Sequence, residues 1–399
     1  MTYPRTINAS EMRGINRSAI LEVIRLEGPI ARSLIAEKLN VSLPTVLRIV
    51  DELIAEDLVQ PQGKTEWTGG RRRSLLEFNG AGHVVIGIDL GGSKMFGAIA
   101  DLGGNIVDQV ELSRLSPAGE ENYHHLVELI EILLANPKLQ DRRVWGIGVG
   151  APGITLHQEG VVSWAASLNW RAYPLKAKLA DQFKLPVIVD NDVNMAALGE
   201  WWFGAGQNTR NMILITSGTG IGAGIIIEGA LYRGSYEAAG EIGYFIPGRE
   251  FLGKPYKEFG ALESFASNIG IINRARQILK DQRTPAELEN LLAEDVFEAA
   301  RQSQPWACTV IDEVVDYLAI AVANLFVSFD PEIIVLGGGS ITRFADLIIE
   351  PILRRIEGNI PTLLPRLVVS GLGRRAVVMG AAIVVLYGTD EHVYVRRKT

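Results

Sequence analysis

Two glycine-rich turns carry groups that could bind phosphate. The first, in "IGIDLGGSK", follows an apolar strand that ends in an acid, and its groups are Asp89, Gly91, Gly92, Ser93 and Lys94. The second, in "MILITSGTGIGAG", also joins two apolar strands, and its groups are Thr216, Gly218, Thr219 and Gly220. Glycines let backbone N–H groups approach an anion, and a carboxylate such as Asp89 suits Mg²⁺ or its water shell. Taken alone, the first turn fits an ordinary hairpin equally well.

A third glycine cluster, in "PEIIVLGGGS", follows a strand of buried type and places Gly338 where it could back an adenine or ribose. These turns have neither the Walker pattern G-x-x-x-x-G-K-[ST] nor the Rossmann pattern G-x-G-x-x-G. Two strand–turn–strand loops so far apart in the chain indicate two halves that close on one nucleotide.

Between the two phosphate turns, "LPVIVDNDVNMAALGE" delivers three polar residues, Asp190, Asn191 and Asp192, to the end of an apolar strand. A carboxylate there could accept a hydroxyl proton, and phosphoryl transfer to a hydroxyl needs such a base. We therefore predict that Asp192 is a catalytic base and that Asn191 helps to hold the substrate. The alternative is a polar turn that only caps a helix.

Composition limits the class of protein. At 399 residues, with 47% hydrophobic and 21% charged residues, two or three globular domains are expected. Cys308 is the only cysteine, so neither an intrachain disulfide nor a multi-cysteine metal site can form. There is no N-terminal apolar run of signal-peptide type, and residues 309–329 contain three acids, so we expect a cytoplasmic protein without membrane spans.

The net charge of −7 is uneven: residues 1–80 carry +1 and the rest −8. Any contact with nucleic acid should therefore lie in the first 80 residues. There, Asn16 could cap a first helix that ends at Gly28-Pro29, and a second short helix follows. Ser42 caps a third helix with an apolar stripe from Val46 to Ile54. The tight turn between the last two helices predicts helix-turn-helix.

The third helix would direct four residues toward the major groove of DNA: Ser42, Leu43, Thr45 and Arg48. The segment "LVQPQGKTEWTGGRRRSLLEF" has the pattern of strand, turn and strand, and it predicts a wing whose Arg71, Arg72 and Arg73 reach phosphate or the minor groove. The alternative is a small helical interaction domain with a solvated arginine run.

Taken together, these motifs resemble the ROK family (repressors, open reading frames, kinases). "GPIARSLIAEKLNVSLPTVLRIVDELIAEDLV" is similar to the DNA-binding segment of its regulators. "IGIDLGGSK", "GIGVGAPGI", "VDNDVNMAALGE", "TSGTGIGAGIIIEGALYRG" and "DPEIIVLGGG" match five further motifs in order. The resemblance implies an α/β chain: an N-terminal winged helix-turn-helix followed by a two-lobed, actin-like (ribonuclease H-like) ATPase/sugar-kinase fold.

The resemblance also implies residue roles. Asp192 would be the base, Asn191 a sugar contact, and Glu241 and Glu263 would bind sugar hydroxyls. The glycine turns would serve ATP and Mg²⁺. Where family members place a zinc-binding His and three Cys, this chain has Tyr244, Lys254, Tyr256 and Ala261, so no zinc is expected. Ser167 stands where an Asn commonly lies near the sugar.

From these features we expect three parts: residues 1–80 as the DNA-binding domain, 81–190 as the first lobe, completed by the C-terminal helix, and 191–388 as the second lobe with a dimerisation surface. The expected function is a transcription regulator, a repressor of sugar-metabolism genes, controlled by carbohydrate. The alternative is an ATP-dependent hexose or N-acetylhexosamine kinase, with or without DNA binding. The expected partners are operator DNA, a sugar effector and further copies of the chain in a homodimer or homotetramer.

Overall fold

The computed structural model describes residues 9–62, 74–91, 94–113, 119–256, 260–361 and 363–387. The helices are α1 Ala9–Glu27, α2 Arg32–Leu39, α3 Leu43–Ala55, α4 Gly119–Leu134, α5 Leu175–Phe183, α6 Asp192–Phe203, α7 Glu263–Ala266, α8 Asn268–Leu279, α9 Pro285–Glu289, α10 Ala293–Arg301, α11 Pro305–Phe329, α12 Gly339–Arg343, α13 Ile349–Ile356 and α14 Ala376–Tyr387.

The strands before the second lobe are β1 Ile30–Ala31, β2 Val59–Gln62, β3 Leu75–Phe78, β4 His83–Leu90, β5 Lys94–Asp101, β6 Ile106–Ser113, β7 Arg143–Ala151, β8 Ile154–Leu156, β9 Val161–Ala165, β10 Trp170–Tyr173 and β11 Val187–Asn191. Those that follow are β12 Met212–Ser217, β13 Ile221–Ile227, β14 Ala230–Leu231, β15 Ile333–Gly337 and β16 Leu367–Val369. Among the described residues, no helix is both long and apolar enough to cross a membrane.

Residues 9–62 and 74–78 have the arrangement of a winged helix-turn-helix, which we call the head. Helices α1 to α3 pack on a three-stranded sheet of order β1-β3-β2, in which Val59 lies opposite Phe78. The Ser42 side chain accepts the Thr45 N–H at the start of α3, as predicted. The prediction that Asn16 caps α1 is wrong, because the helix begins at Ala9 and Asn16 lies inside it. Gly14 is the one poor helix former between Ala9 and Asn16, and a single such residue costs only about 1 kcal/mol, so the helix extends back through it.

The remainder of the chain is built on two five-stranded sheets, of order β11-β7-β4-β5-β6 and β14-β13-β12-β15-β16. A small sheet of order β10-β9-β8 is attached to the first. Helix α14 lies directly on the first sheet: a Cβ atom at Gly87 would meet Val378 at 2.7 Å, and one at Gly148 would meet Ala381 at 2.6 Å. The C-terminal helix therefore packs on the sheet of the first lobe, and the two-lobed α/β prediction is confirmed.

Strand register places the predicted chemistry along one sheet edge. Parallel strands β4, β7 and β11 end side by side, with Asp89 and Asp190 both paired to Gly150 of the central strand. In the second sheet, Thr216 of β12 is paired with Gly337 of the parallel strand β15. Ligands of open α/β sheets bind at the carboxyl ends of the parallel strands. Each phosphate turn lies at such an edge of its own sheet.

Candidate functional site

Two acids lie close together where the strands of the first sheet end. Asp89 is the second-last residue of β4, and Asp192 is the first residue of α6. Gly150 of β7 packs against the Cα atom of Asp192. Burial raises the pKa of Asp89 to about 7, although the positive charge of Arg374 opposes the rise. Burial, then the charges of Asp89 and Glu241, raise the pKa of Asp192 to about 8. At neutral pH this pair therefore favours a bound cation or a bound proton.

The "DND" stretch, residues 190–192, both caps a helix and places polar side chains at the cleft, the two alternatives that the sequence left open. Asn191 caps α6, because its Oδ1 accepts the Asn194 N–H at 3.0 Å, while its Nδ2 donates to the Gly153 carbonyl at 2.9 Å. Asp190 accepts the Asn191 N–H at 2.7 Å and forms an ion pair with Arg233 at 2.6 Å. The turn is thus a helix cap that also holds Asn191 and Asp192 at the cleft. Arg233 was missed by the sequence reasoning.

The carboxylates of Glu241 and Glu263 lie near each other on the second lobe. Burial, and then the charge of Glu263, raise the pKa of Glu241. Glu263 accepts the Ile221 N–H at 2.9 Å and the Gly260 N–H at 3.3 Å, so it also braces the second phosphate turn. Tyr244 lies beside both acids, since burial and then their charges raise its pKa. The structure therefore brings these three predicted sugar-binding residues together.

Ser167 is placed differently from the other predicted sugar contacts. It lies in a 3₁₀ turn, Ala166–Leu168, that ends in a left-handed Asn169. No hydrogen bond within the described part of the chain joins its side chain to the acids of the cleft. Its role as a sugar contact stays a prediction.

The second phosphate turn is tightly formed and open to its surroundings. Ser217 pairs with Ile221, and the Gly218 N–H donates to the Gly220 carbonyl at 2.9 Å. A Cβ atom at Gly218 would meet nothing within 4 Å, and Thr219 is exposed. Gly338 adopts a φ of 110° and packs directly on the Ser217 carbonyl, so the third glycine cluster lies against this turn. The geometry leaves room for phosphate oxygens at the turn.

The first phosphate turn has a neighbour that the sequence did not indicate. Lys94 is paired with Glu111 at 2.6 Å, and Arg374 pairs with the same carboxylate and lies over the Phe96 ring at 5.4 Å. Gly92 and Ser93 lie outside the described residues, while Gly91 is described. Two cations therefore flank the turn that begins after Asp89. The two adjacent arginines in "GLGRRA", residues 371–376, were the sequence feature from which this neighbour could have been predicted.

The region that corresponds to the zinc site in the family is packed with aromatic rings. Phe265 stacks on Tyr317 at 4.6 Å and meets Phe251 edge-on at 5.2 Å, and the Lys254 ammonium lies 5.5 Å from the Phe251 ring. Ala261 is buried. Over the described ranges, no group of three or more His, Cys, Asp or Glu side chains is arranged to hold a metal. The absence of zinc stays a prediction.

The residues predicted to face DNA lie in the first two turns of α3 and at its N-cap. Ser42, Leu43 and Arg48 are exposed and Thr45 is half-buried, while Val46, Ile49, Val50 and Leu53 form the opposite, buried face. The Ser42 and Thr45 hydroxyls are 2.8 Å apart. Exposure of Leu43, at 44%, leaves an apolar side chain at this end of the helix. Arg71, Arg72 and Arg73 of the predicted wing lie outside the described residues.

The head contacts the body at the far end of α6. The Arg25 guanidinium, in the last turn of α1, lies 5.1 Å from the ring of Trp202, and it is ion-paired with Glu22 at 2.7 Å. These Arg25 and Glu22 side chains are only 13% and 4% exposed. A second contact is the His83 ring nitrogen, 2.9 Å from the Asp57 carbonyl. No local sequence pattern indicated either contact.

Comparison with known proteins supports the motif assignments. A model of the ROK family matches residues 85–387, and a winged helix-turn-helix DNA-binding model matches residues 15–60. The chain is 36% identical over 310 residues to a glucokinase from Halalkalibacterium halodurans. This match covers 74% of the present chain and 92% of the glucokinase. It is 30% identical over 389 residues to a xylose repressor from Caldicellulosiruptor bescii, covering 95% and 97% of the two chains.

Solved structures give the same two kinds of neighbour. A ROK family transcriptional regulator, a homolog of the E. coli MLC protein, superposes with a TM-score of 0.82 at 26% identity and covers 94% of this chain and 96% of its own. A ROK family glucokinase from Streptomyces griseus, in complex with glucose and AMPPNP, has a TM-score of 0.67 at 29% identity and covers 76% and 100%.

The raised pKa of Asp192 predicts a gain in stability on neutralisation. Between the ordinary carboxyl pKa of about 3.9 and the folded value of about 8, the folded state binds more protons than the unfolded state. Stability should therefore fall as pH rises through this window. We expect Asp192→Asn to raise the free energy of unfolding by at least about 1 kcal/mol at pH 8 and by less at pH 5.

Urea unfolding at the two pH values measures this difference. Asp181→Asn is the matched control, because Asp181 is exposed and its hydrogen bond from Lys184 lowers its pKa. That variant should gain no stability at pH 8. An Asp192→Asn protein that gained nothing at pH 8 relative to pH 5 would contradict the assignment.

Proposed function

This chain belongs to the ROK family, and we propose that it is a DNA-binding transcription regulator, a repressor of sugar-metabolism genes whose operator affinity is set by a carbohydrate bound between its lobes. The full-length similarity to xylose repressors and to the MLC-like regulator supports this function. A cytoplasmic location goes with it.

The observation that carries the proposal is the position of α6. Its first turn holds Asn191 and Asp192 at the cleft, and its last turn presents Trp202 to Arg25 of the head. A helix of 12 residues spans about 18 Å, so one rigid element connects the cleft to the head. A sugar that binds one arrangement of the lobes better than another would shift the population of head positions.

Helix α6 is held as a unit along its length. Residues 194–202 are all buried. The Glu200 carboxylate, itself fully buried, accepts the Leu372 N–H at 2.8 Å and the Ala205 N–H at 2.9 Å. Charge-assisted bonds of this kind are the strong ones in a low-dielectric interior. They tie α6 to the segment that leads into α14, so the two helices should move together.

The chemistry of the cleft supports a sugar as the effector. Carboxylates and amides can accept and satisfy the many hydroxyl donors of a carbohydrate, and burial makes satisfaction necessary. Asn191 and Glu241 approach from the two lobes. The names of the relatives favour a simple aldose, so D-xylose and D-glucose are the first probes to test.

DNA recognition is proposed for the exposed start of α3 and the arginines of the wing. The acidic body would repel DNA, so binding depends on the head. A homodimer or homotetramer with two-fold symmetry would match a palindromic operator.

We expect Arg48→Ala to weaken operator binding by about 10-fold, since Arg48 is exposed on the predicted recognition helix. The probe is a duplex selected from a random pool by the full-length protein, and affinity is measured by fluorescence anisotropy at fixed salt. Arg354→Ala, an exposed arginine on the second lobe, is the control and should bind normally. Equal loss in both variants would contradict recognition by α3.

We also expect D-xylose or D-glucose to change operator affinity, and Arg25→Lys to reduce that change at least 3-fold. Lys can keep the ion pair with Glu22 but lacks the guanidinium group that lies over the Trp202 ring. Arg13→Lys is the matched control on α1, because Arg13 pairs with Glu52 inside the head. A full sugar effect in the Arg25→Lys protein would exclude this contact as a coupling element.

A second candidate function, ATP-dependent phosphorylation of a hexose or N-acetylhexosamine, is favoured by the open second phosphate turn and by the glucokinase relatives. Gly218, Thr219 and Gly220 would hold phosphate oxygens, and Asp89 would hold Mg²⁺, which neutralises developing charge when bound with ATP. Asp192 would accept the proton of the attacking hydroxyl.

An ADP-release assay with ATP, Mg²⁺ and a panel of hexoses and N-acetylhexosamines tests this function. Any turnover should fall at least 100-fold in Asp192→Asn, because the amide cannot accept the proton. Asp181→Asn should keep full activity. Turnover that survives Asp192→Asn would rule out the assigned base, and no turnover with any sugar would rule out the kinase function.

A further inference from the structure

Residues 232–240, which we call the crossing loop, connect the edge of the second sheet to the sugar-binding carboxylate Glu241. The base of the loop is closed by the Ala239 N–H, which donates to the Arg233 carbonyl at 2.9 Å. At its end, the Gly240 carbonyl accepts the Ala223 N–H of β13 at 2.7 Å. The crossing loop is therefore held at both ends, and its last residue directly precedes Glu241.

An ion pair and a histidine–carboxylate hydrogen bond fasten the crossing loop to the first lobe. Arg233 donates from Nη2 and Nε to Oδ2 of Asp190 at 2.6 Å and 3.2 Å. Farther along the loop, Oε2 of Glu237 lies 2.9 Å from Nδ1 of His157. The His157 side chain is 5% exposed and that of Glu237 is 21% exposed. Because both pairs are shielded from water, they are stronger constraints than ion pairs on an open surface.

The His157 end of this contact also leads to the sugar site. His157 directly follows β8, and Gly153, just before β8, accepts the Asn191 side-chain N–H. Glu237 thus lies just before Glu241 in the chain, and His157 lies at the end of the short strand that begins after Gly153, the residue that Asn191 contacts. The contact therefore links the first-lobe segment that holds Asn191 to the loop that leads into Glu241.

The backbone at Glu237 has a conformation that is uncommon for a residue with a side chain. Glu237 has a φ of 57°, in the left-handed region that a residue with a Cβ atom adopts only when its surroundings hold it there. Glu228 offers an internal comparison, with a φ of 52° and an ion pair to Arg210. That second pair lies within one lobe and is exposed, so it does not span the cleft.

We propose that His157 and Glu237 are positioning residues of the carbohydrate site: their pair holds the crossing loop against the first lobe and sets Glu241 in place for the sugar. This proposal rests on the proposed function. A site whose two halves are already held together loses less freedom on binding, and its affinity is correspondingly higher.

The test compares sugar affinity in two matched pairs of variants. Dissociation constants for D-xylose and D-glucose are measured by isothermal titration calorimetry on the full chain. Glu237→Gln and His157→Gln should each weaken binding by about 10-fold, and the double variant should bind no more weakly than either, because both changes break one contact. Glu228→Gln should bind as the wild type does.

Glu237→Gly separates positioning from folding. Glycine relieves the left-handed backbone at residue 237 but removes the anchor, so the thermal midpoint should not fall while sugar affinity does. Glu228→Gly should leave sugar affinity unchanged. Wild-type affinity in Glu237→Gly or Glu237→Gln would overturn the positioning role. A wild-type protein that binds neither sugar would instead contradict the proposed function, and the inference would fall with it.

Discussion

Burial of several carboxylates around one cleft is the constraint on which the rest of this structure depends. Asp89 lies near the end of β4 and Asp192 directly follows β11, so both are at one edge of the first sheet. Glu241, on the second lobe, is close enough to raise the pKa of Asp192. Water is partly excluded there and the charges repel, so the pKa values rise. A ligand that donates hydroxyls or brings a cation relieves this cost. The proposed sugar or metal ligand would therefore be favoured by the same electrostatics that raise these pKa values.

The packing of α6 and α14 forms one rigid connection between this cleft and the head. A Cβ atom at Gly199 would meet the Ala376 carbonyl at 2.1 Å, and one at Gly380 would meet the Met195 carbonyl at 1.8 Å, so the helices touch backbone to backbone. Interiors packed this closely do not deform continuously. The head, which contacts Trp202 through Arg25, rests on the end of this rigid pair.

The segment from Gly240 to Ser264 shows how a family frame can be kept with different chemistry. Its acids, Glu241 and Glu263, stay at the cleft, and Glu263 is held by backbone N–H groups. Its middle packs on Tyr317 through Phe251, with Lys254 over the ring. Aromatic packing supplies orientation where thiolates and imidazole would supply bonds to a metal. The loop therefore has a physical means of holding shape that is independent of zinc.

The sequence by itself determined the elements and the order of the motifs. Glycine turns, the cap at Ser42 and the apolar stripe of α3 depend on residues within a few positions of one another, and such local patterns can be read directly. The placement of Asp89 and Asp190 at one edge of the sheet agrees with their positions at the ends of parallel strands, although the register itself is set through β7. Local rules failed at Asn16, where a good capping residue lies inside a longer helix.

Only the tertiary structure decided which distant charges meet. Arg233 forms an ion pair with Asp190, and Arg374 forms one with Glu111 and also lies near enough to Asp89 to oppose the rise of its pKa. Arg25 lies over the Trp202 ring, and His157 contacts Glu237. Each partner lies on a different element and no periodicity relates the two positions, so the pairing depends on strand order and on how helices pack. The pKa values of the cleft have the same origin, because burial and the approach of like charges exist only after the lobes have assembled.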